Sequence, residues 1–150
     1  MIVKANQPQR AVTFAEQIGL LRRAMRRALV RRLSLESDRP LQQLLALRSI
    51  ARKEVHTQAE LSVRLLIDAP AASRLVGQLE ADGLLKRVKG RDRREVRLKV
   101  TAAASGEIKA IQVGLSWLDA QLLGLLGAAG FKATMRSMVK MQAGLATFGV

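Results

Sequence analysis

The sequence predicts a mainly α-helical domain of the α+β class, with helices enclosing one small β-hairpin. Three observations predict it. Apolar residues recur at alternating spacings of three and four along most of the chain, the helical period. One stretch, Leu84 to Thr101, switches to a period of two. Capping residues, Pro and Gly fall between the periodic segments. With 150 residues, 49% hydrophobic and 25% charged, the chain suffices for one core and reads as a single domain over residues 1–150.

The first ten residues, with Pro8 and several polar groups, read as a loose arm. A helix is expected from about Thr13 to Leu33, with Phe14, Ile18, Leu21, Met25 and Ala28 on one face. Ser34 to Arg39 is a polar interruption, and Pro40 suits the first turn of a second helix, Leu41 to about Arg52, carrying Leu41, Leu44, Leu45, Leu47 and Ile50. Two short helices follow. Thr57 and Glu60 have capping-box spacing, and Leu61, Leu65 and Leu66 supply the inner face of the first. Asp68 caps the second, Pro70 lies in its first turn, and Gly83 ends it.

Leu84–Lys89 and Glu95–Thr101 then form a hairpin around a charged turn, Gly90–Arg94; Val96, Leu98 and Val100 face one way, Arg97 and Lys99 the other. Two last helices, roughly Ala102–Leu126 and Phe131–Ala146, flank a Gly-Ala-Ala-Gly break. In the first of them Ile108, Ile111, Leu115, Leu118, Leu122 and Leu125 form a heptad seam.

Composition removes several classes of function. There is no cysteine, which excludes disulfides, thiolate metal sites and thiol redox sensing. The single histidine, His56, cannot build a metal site and reads as a solvated loop residue, so no metal or cofactor is expected. Aromatic residues are 3% and tyrosine is absent, which argues against a stacking platform for single strands. No apolar run looks long enough to cross a bilayer and no signal peptide is evident, so a cytoplasmic protein without a membrane partner is expected. No nucleophile–base pair stands out, so the chain is not expected to be an enzyme.

Charge points the other way. Lys and Arg number 26 against 12 acids, a net charge of +14, which is easiest to understand if the partner is a polyanion. Between Lys86 and Lys99 there are eight cations (Lys86, Arg87, Lys89, Arg91, Arg93, Arg94, Arg97, Lys99) against Asp92 and Glu95, so the hairpin carries +6. A merely solvated hairpin would carry mixed signs. Two short helices, a turn and a basic hairpin make a winged helix-turn-helix, in which the second helix enters the major groove of duplex DNA and the hairpin reaches the minor groove or backbone.

On that second helix Ala72, Leu75, Val76 and Leu79 must pack inward, leaving Pro70, Ser73, Arg74 and Gly77 outward at 100° per residue. Arg74 is the strong donor among them, fit for guanine or a phosphate. Ser73 can serve either role, and Ala71, at the edge, could touch a thymine methyl. Gly77 costs about 1 kcal/mol of helix stability relative to Ala, with either close approach to the DNA backbone or simple tolerance as its reason.

The run AELSVRLLIDAPAASRLVGQLEADGLLKRVKGRDRREVRLKVT, Ala59 to Thr101, resembles the DNA-binding region of MarR-family regulators. The matching pieces are Ser-Arg-Leu-Val, Leu-Glu-x-x-Gly-Leu, and the Asp-Arg-Arg wing followed by an alternating strand into Thr. The resemblance implies a winged helix-turn-helix region at 40–101 and a homodimer whose N- and C-terminal helices, 11–33 and 102–148, interleave. It also implies that Arg94 enters the minor groove, held by Asp92, with Lys89, Arg91 and Arg93 nearby on the DNA. A small aromatic or anionic effector is a further implication. The chain departs from the family in having Gly77 where an acid or amide is common, Leu66 where Gly is common, and Ala102–Gly106 where a Gly comes sooner after the Thr.

Outside this region Arg22, Arg23, Arg26, Arg27, Arg31 and Arg32 form a second basic cluster with no acid between them; Arg23, Arg27 and Arg31 share a face. Helix-dipole compensation, flanking phosphates and an anionic-effector pocket are its three readings, in that order. Trp117 and the last helix's Met135, Met138 and Met141 read as core or interface before ligand contacts. The expected function is sequence-specific binding of double-stranded DNA by a dimeric transcriptional regulator, a repressor more often than an activator. An architectural DNA-binding protein with little sequence choice is the alternative.

Overall fold

Thr13 opens the first helix as the sequence predicts. Its hydroxyl accepts from the Glu16 N–H while the Glu16 carboxylate takes the Thr13 N–H at 2.7 Å, a closed capping box. The computed structural model describes residues 12–148, so the arm expected over the first ten lies outside the described residues. The elements are α1 (Phe14–Leu33), α2 (Leu41–Ala51), α3 (Gln58–Leu65), α4 (Ala69–Ala81), β1 (Leu85–Lys89), β2 (Val96–Val100) and α5 (Ser105–Ala146), with a 3-10 turn at Ala102–Ala104 leading into α5.

Two apolar cores share α2. Its N-terminal Leu41 and Leu44 pack with Leu29 and Leu33 of α1 and Ile111 of α5. Its C-terminal Ala46, Leu47 and Ile50 pack with Val55, Leu61, Val76, Leu79, Leu84, Leu85 and Leu98. The first defines a helical lobe and the second a winged lobe.

The hairpin is antiparallel, with Leu85 opposite Val100 and Lys89 opposite Val96. Gly83, at φ 75°, turns the chain out of α4, and its carbonyl accepts the Thr101 hydroxyl at 2.6 Å, which closes the hairpin's base. The Leu98 N–H donates to the His56 carbonyl at 2.8 Å, so the segment before α3 is stitched to the outer edge of β2. His56 is therefore half-buried and anchored through its backbone, rather than free in a loop.

The apolar face expected on α1 is largely uncovered within the chain: Phe14 is 67% exposed and Ile18 and Leu21 are also exposed, while the residues that bury are Leu29 and Leu33, toward the other end. Two sequence expectations need correcting. Leu66 does not join the inner face of α3. It ends that helix in the left-handed conformation (φ 54°, ψ 47°) and is 82% exposed. Val96 is exposed near the hairpin tip, beyond the reach of the core, so only Leu98 and Val100 of its row are covered.

The two last helices expected around the Gly-Ala-Ala-Gly break meet at a kink at Gly127 (φ 69°, ψ 164°), a non-helical conformation open to glycine, and are labelled together as α5. The run Ala102–Ala146 holds an 18-residue window of mean hydropathy 1.2. By length and composition that is enough to cross a bilayer, contrary to the sequence reading. Only 6% of the window is buried within the chain.

The heptad seam of α5 divides in the same way. Ile108 packs on the winged core and Ile111, Leu115 and Leu118 on the helical core, whereas Leu125 is 81% exposed. Gly114 makes the α1–α5 crossing close: a Cβ built there would lie 2.7 Å from the Leu33 Cδ2 and 3.1 Å from the Leu29 Cδ1.

Candidate nucleic-acid interface

α3 and α4 are set by their caps. The Thr57 hydroxyl accepts from the Glu60 N–H, and the Glu60 carboxylate takes the backbone N–H groups of His56 and Thr57. These bonds, the His56 N–H foremost, hold the Glu60 carboxyl below its usual range. The Asp68 carboxylate accepts from the Ala71 N–H at 2.7 Å, and Pro70 sits in the first turn of α4, where its missing N–H costs nothing. Between the caps lies the left-handed Leu66, the tight turn of the helix-turn-helix.

With Ala72, Val76 and Leu79 buried and Leu75 half-buried, α4 has no rotational freedom. Its outer face then presents Pro70, Ser73 and Arg74, all exposed, with Ala71 and Gly77 partly covered at the margins. Arg74 forms no ion pair among the described residues. A Cβ on Gly77 would meet nothing within 4 Å. Nothing inside this chain therefore requires glycine at that position.

The hairpin projects beside α4. Of its eight cations, Arg87 reaches Glu80 (3.6 Å) and Arg97 reaches Glu95 (3.2 Å); Lys86, Lys89, Arg91, Arg93, Arg94 and Lys99 have no acid partner among the described residues. Lys89, Arg91, Arg93 and Arg94 are exposed around the tip. Asp92 meets Arg94 through the backbone: its carboxylate accepts the Arg94 N–H at 3.3 Å, and no ion pair links it to the Arg94 guanidinium. Its role is to shape the turn, together with the 2.8 Å bond from the Gly90 N–H to the Glu95 carbonyl. The Glu95 side chain lies directly over Gly90, leaving no room there for a Cβ.

The structure thus brings the expected residues into two adjacent groups. Pro70, Ala71, Ser73, Arg74 and Gly77 lie on α4, and Lys89, Arg91, Asp92, Arg93 and Arg94 lie at the hairpin tip. Both groups are largely exposed and their cations have no acid partner among the described residues, which suits them to phosphates and base edges.

A separate cleft of about 550 Å³ lies between the lobes. Met25, Leu29, Leu41, Leu45, Leu65, Leu66, Leu115 and Leu118 give it apolar walls, and Arg22, Arg23, Arg26 and Arg64 ring it with charge. Trp117 is half-buried and is not part of its lining. Among the described residues, Arg32 is the one of the six α1 arginines that is paired, with Glu36 at 3.0 Å. The sequence analysis missed Arg64, because only folding brings α3 across to the α1 arginines. Among the described residues no group of three or more His, Cys, Asp or Glu could hold a metal ion.

Comparison with known proteins agrees with this geometry. The family model described as MarR family matches residues 37–95. No curated protein matches the chain. Among solved structures, the transcriptional regulator PA3341 is similar at 26% identity and a TM-score of 0.78, over 90% of this chain and 99% of that one. The apo form of MarR from E. coli is similar at 26% identity and 0.69, over 87% and 96%. MepR of S. aureus, solved as a DNA complex, shares the fold at 17% identity and 0.74, over 89% and 96%. The central segment, residues 37–95, thus matches the MarR family model, and the chain is similar in fold to winged-helix transcriptional regulators of that kind.

Proposed function

We propose that the chain is a sequence-specific regulator that binds double-stranded DNA as a homodimer on a palindromic operator and represses nearby genes. Residues 40–101 are the DNA-binding region, and 11–33 and 102–148 are the dimerisation helices. One observation carries this reading: α4 exposes a face of small residues with Arg74, and the hairpin tip exposes Lys89, Arg91, Arg93 and Arg94, all without acid partners among the described residues. The likeness to MepR, which is solved with DNA, supports it. The uncovered apolar faces of α1 and α5 support a second copy as their cover, since one recognition helix alone discriminates weakly between sites.

In this reading Arg74 reads a base or phosphate, Ser73 assists, Ala71 touches a methyl group, and Gly77 lets the backbone of the duplex approach. Lys89, Arg91, Arg93 and Arg94 bind phosphates and the minor groove from the tip that Asp92 shapes. The inter-lobe cleft takes a small anionic or aromatic effector, its apolar walls holding the body and its arginines the charge. MepR has also been solved bound to ethidium bromide, in a structure 18% identical with a TM-score of 0.55, which supports a ligand-responsive design.

Selection of bound fragments from random DNA, followed by mobility shifts, tests the function. Arg74→Ala is expected to lose about ten- to a hundredfold on the selected site and to relax preference at one base pair. Arg94→Ala weakens binding and reduces the salt slope by about 1 if its contact is a phosphate. Competition by bulk DNA equal to that by the selected site would replace this reading with an architectural one.

A further inference from the structure

At the end of α4 farthest from the turn, a set of polar side chains joins the connector before α2 to the end of α4 and the start of α5. Arg39, in the connector before α2, extends its guanidinium between Asp82, just past the end of α4, and Glu107, in the first turn of α5. Its Nη1 donates to the Asp82 Oδ2 at 2.7 Å and to the Gln43 Oε1 at 3.0 Å. Its Nε lies 3.4 Å from the Glu107 Oε1, close enough for an ion pair but not aligned as a hydrogen bond. The Ser37 hydroxyl donates to the other Glu107 oxygen at 2.5 Å and accepts the Arg39 N–H at 3.1 Å. Gln78 of α4 donates to Asp82 at 3.3 Å. The Arg39 contact, and after it Gln78, holds the Asp82 carboxyl below its usual range.

We infer that Arg39 is a positioning residue, a clamp that fixes the angle of the recognition helix α4 against the helical lobe and thereby the half-site spacing that two copies can accept. The consequence for spacing rests on the dimeric operator reading above; the clamp itself does not.

The physical case is one of placement. α2 runs through both cores, and the start of α5 touches both through Ile108 and Ile111, so the polar set adds a third tie between the lobes, at the N-terminal end of α2. Arg39 directly precedes α2 and bonds its Gln43, and Asp82 and Glu107 bring the end of α4 and the start of α5 to the same point. Their side chains are each about a quarter to a third exposed, screened enough for ordered geometry and wet enough to avoid the full cost of burying charge. A guanidinium suits the place because its planar fork serves two carboxylates at once, which the point charge of a lysine cannot do. Rotation of α4 within one chain is opposed by a second copy only through the dimer axis, so an error in the angle appears directly as an error in the separation of the two recognition helices.

Two measurements on the full chain test this. The chain has no native cysteine, so Ala24→Cys on α1 and Lys86→Cys on β1, spin-labelled and diluted with unlabelled chain, report the inter-lobe distance by double electron–electron resonance. Arg39→Gln is expected to broaden or shift that distance, and Arg39→Lys to fall between it and the wild type. On DNA with half-sites moved apart base pair by base pair, Arg39→Gln is expected to lose about tenfold of the discrimination between spacings while keeping its affinity for a single half-site.

If Arg39→Gln proves too unstable, Asp82→Asn and Glu107→Gln each remove one arm of the clamp and are read the same way. An unchanged distance distribution, even with a lowered melting temperature, overturns the clamp and leaves Arg39 a merely stabilising residue. A broadened distribution in a protein whose wild type shows no spacing preference keeps the clamp and overturns the dimeric operator reading.

Discussion

The winged lobe closes a larger buried core within the single chain than the helical lobe does. Leu47, Leu61, Val76 and Leu79 of the winged lobe are fully buried within a single chain. The helical lobe buries Leu29, Leu33, Leu41, Leu44 and Ile111 where α1, α2 and α5 cross, and leaves Phe14, Leu21, Leu125, Val139 and Leu145 exposed farther out. The difference teaches that the two lobes obtain their stability differently. The winged lobe closes its core on itself through short elements and caps, whereas the outer parts of α1 and α5 are long helices with an unsatisfied face. A face of that kind is a site of association in a folded protein.

The largest expected effect breaks the comparison in its simplest form. Leu79→Ala should lower stability by about 2–5 kcal/mol, the cost of a cavity in a closed core, read by urea denaturation. Leu125→Ala, at a position 81% exposed, should leave unfolding of the dilute single chain within about 0.5 kcal/mol of wild type and instead promote dissociation in sedimentation experiments. Equal destabilisation by both would mean that the outer part of α5 belongs to the same closed core, and the contrast would fail.

A second test uses one substitution at two sites. Replacing a helical glycine by alanine ordinarily gains about 1 kcal/mol. Gly77, with open space around it, should show that gain on the thermal transition and weaken DNA binding. Gly114 should show the reverse sign. A methyl group there lies 2.7 Å from the Leu33 Cδ2, so leucines in a packed crossing must shift, at a cost of about 1–3 kcal/mol that exceeds the helix-propensity gain. A stabilised Gly114→Ala would show that the α1–α5 crossing is loose and that the helical lobe has little fixed core even where it is buried.

The winged lobe was also the legible one. Thr57 with Glu60, Asp68 with Pro70, and the period-two run through Leu98 announce caps and strands by local chemistry, and the outer face of α4 follows from 100° per residue once Val76 and Leu79 are taken as core. What sequence could not show is what depends on distant partners. Periodicity marks the Phe14–Ile18–Leu21 stripe of α1 as an apolar face without saying what covers it, and within the chain nothing described does. Gly114, Arg64 and the Arg39–Asp82–Glu107 set were invisible for a related reason: their roles come from elements far apart in sequence. The contact of Asp92 with a backbone N–H, in place of the Arg94 guanidinium, is a matter of turn geometry that residue types do not specify.

Leu66 sits between these cases, and substituting it sharpens the comparison most finely. Its φ of 54° and ψ of 47° place a γ-branched residue in a conformation that costs about 1–2 kcal/mol without glycine. Its side chain is 82% exposed, so little burial within the chain offsets that strain. Leu66→Gly removes the strain but adds freedom to the unfolded chain worth up to about 1 kcal/mol. The net expectation is a gain of about 0.5–1 kcal/mol, a rise of roughly 1–4 °C in melting temperature.

The same leucine lines the inter-lobe cleft beside Arg64 and Leu65. If strain is retained there for the sake of an apolar wall, Leu66→Gly should also weaken binding of an aromatic acid that raises the wild-type melting temperature. A fall in melting temperature on Leu66→Gly would instead mean that the side chain is covered in the assembled protein, and would place this turn among the surfaces that a second copy completes.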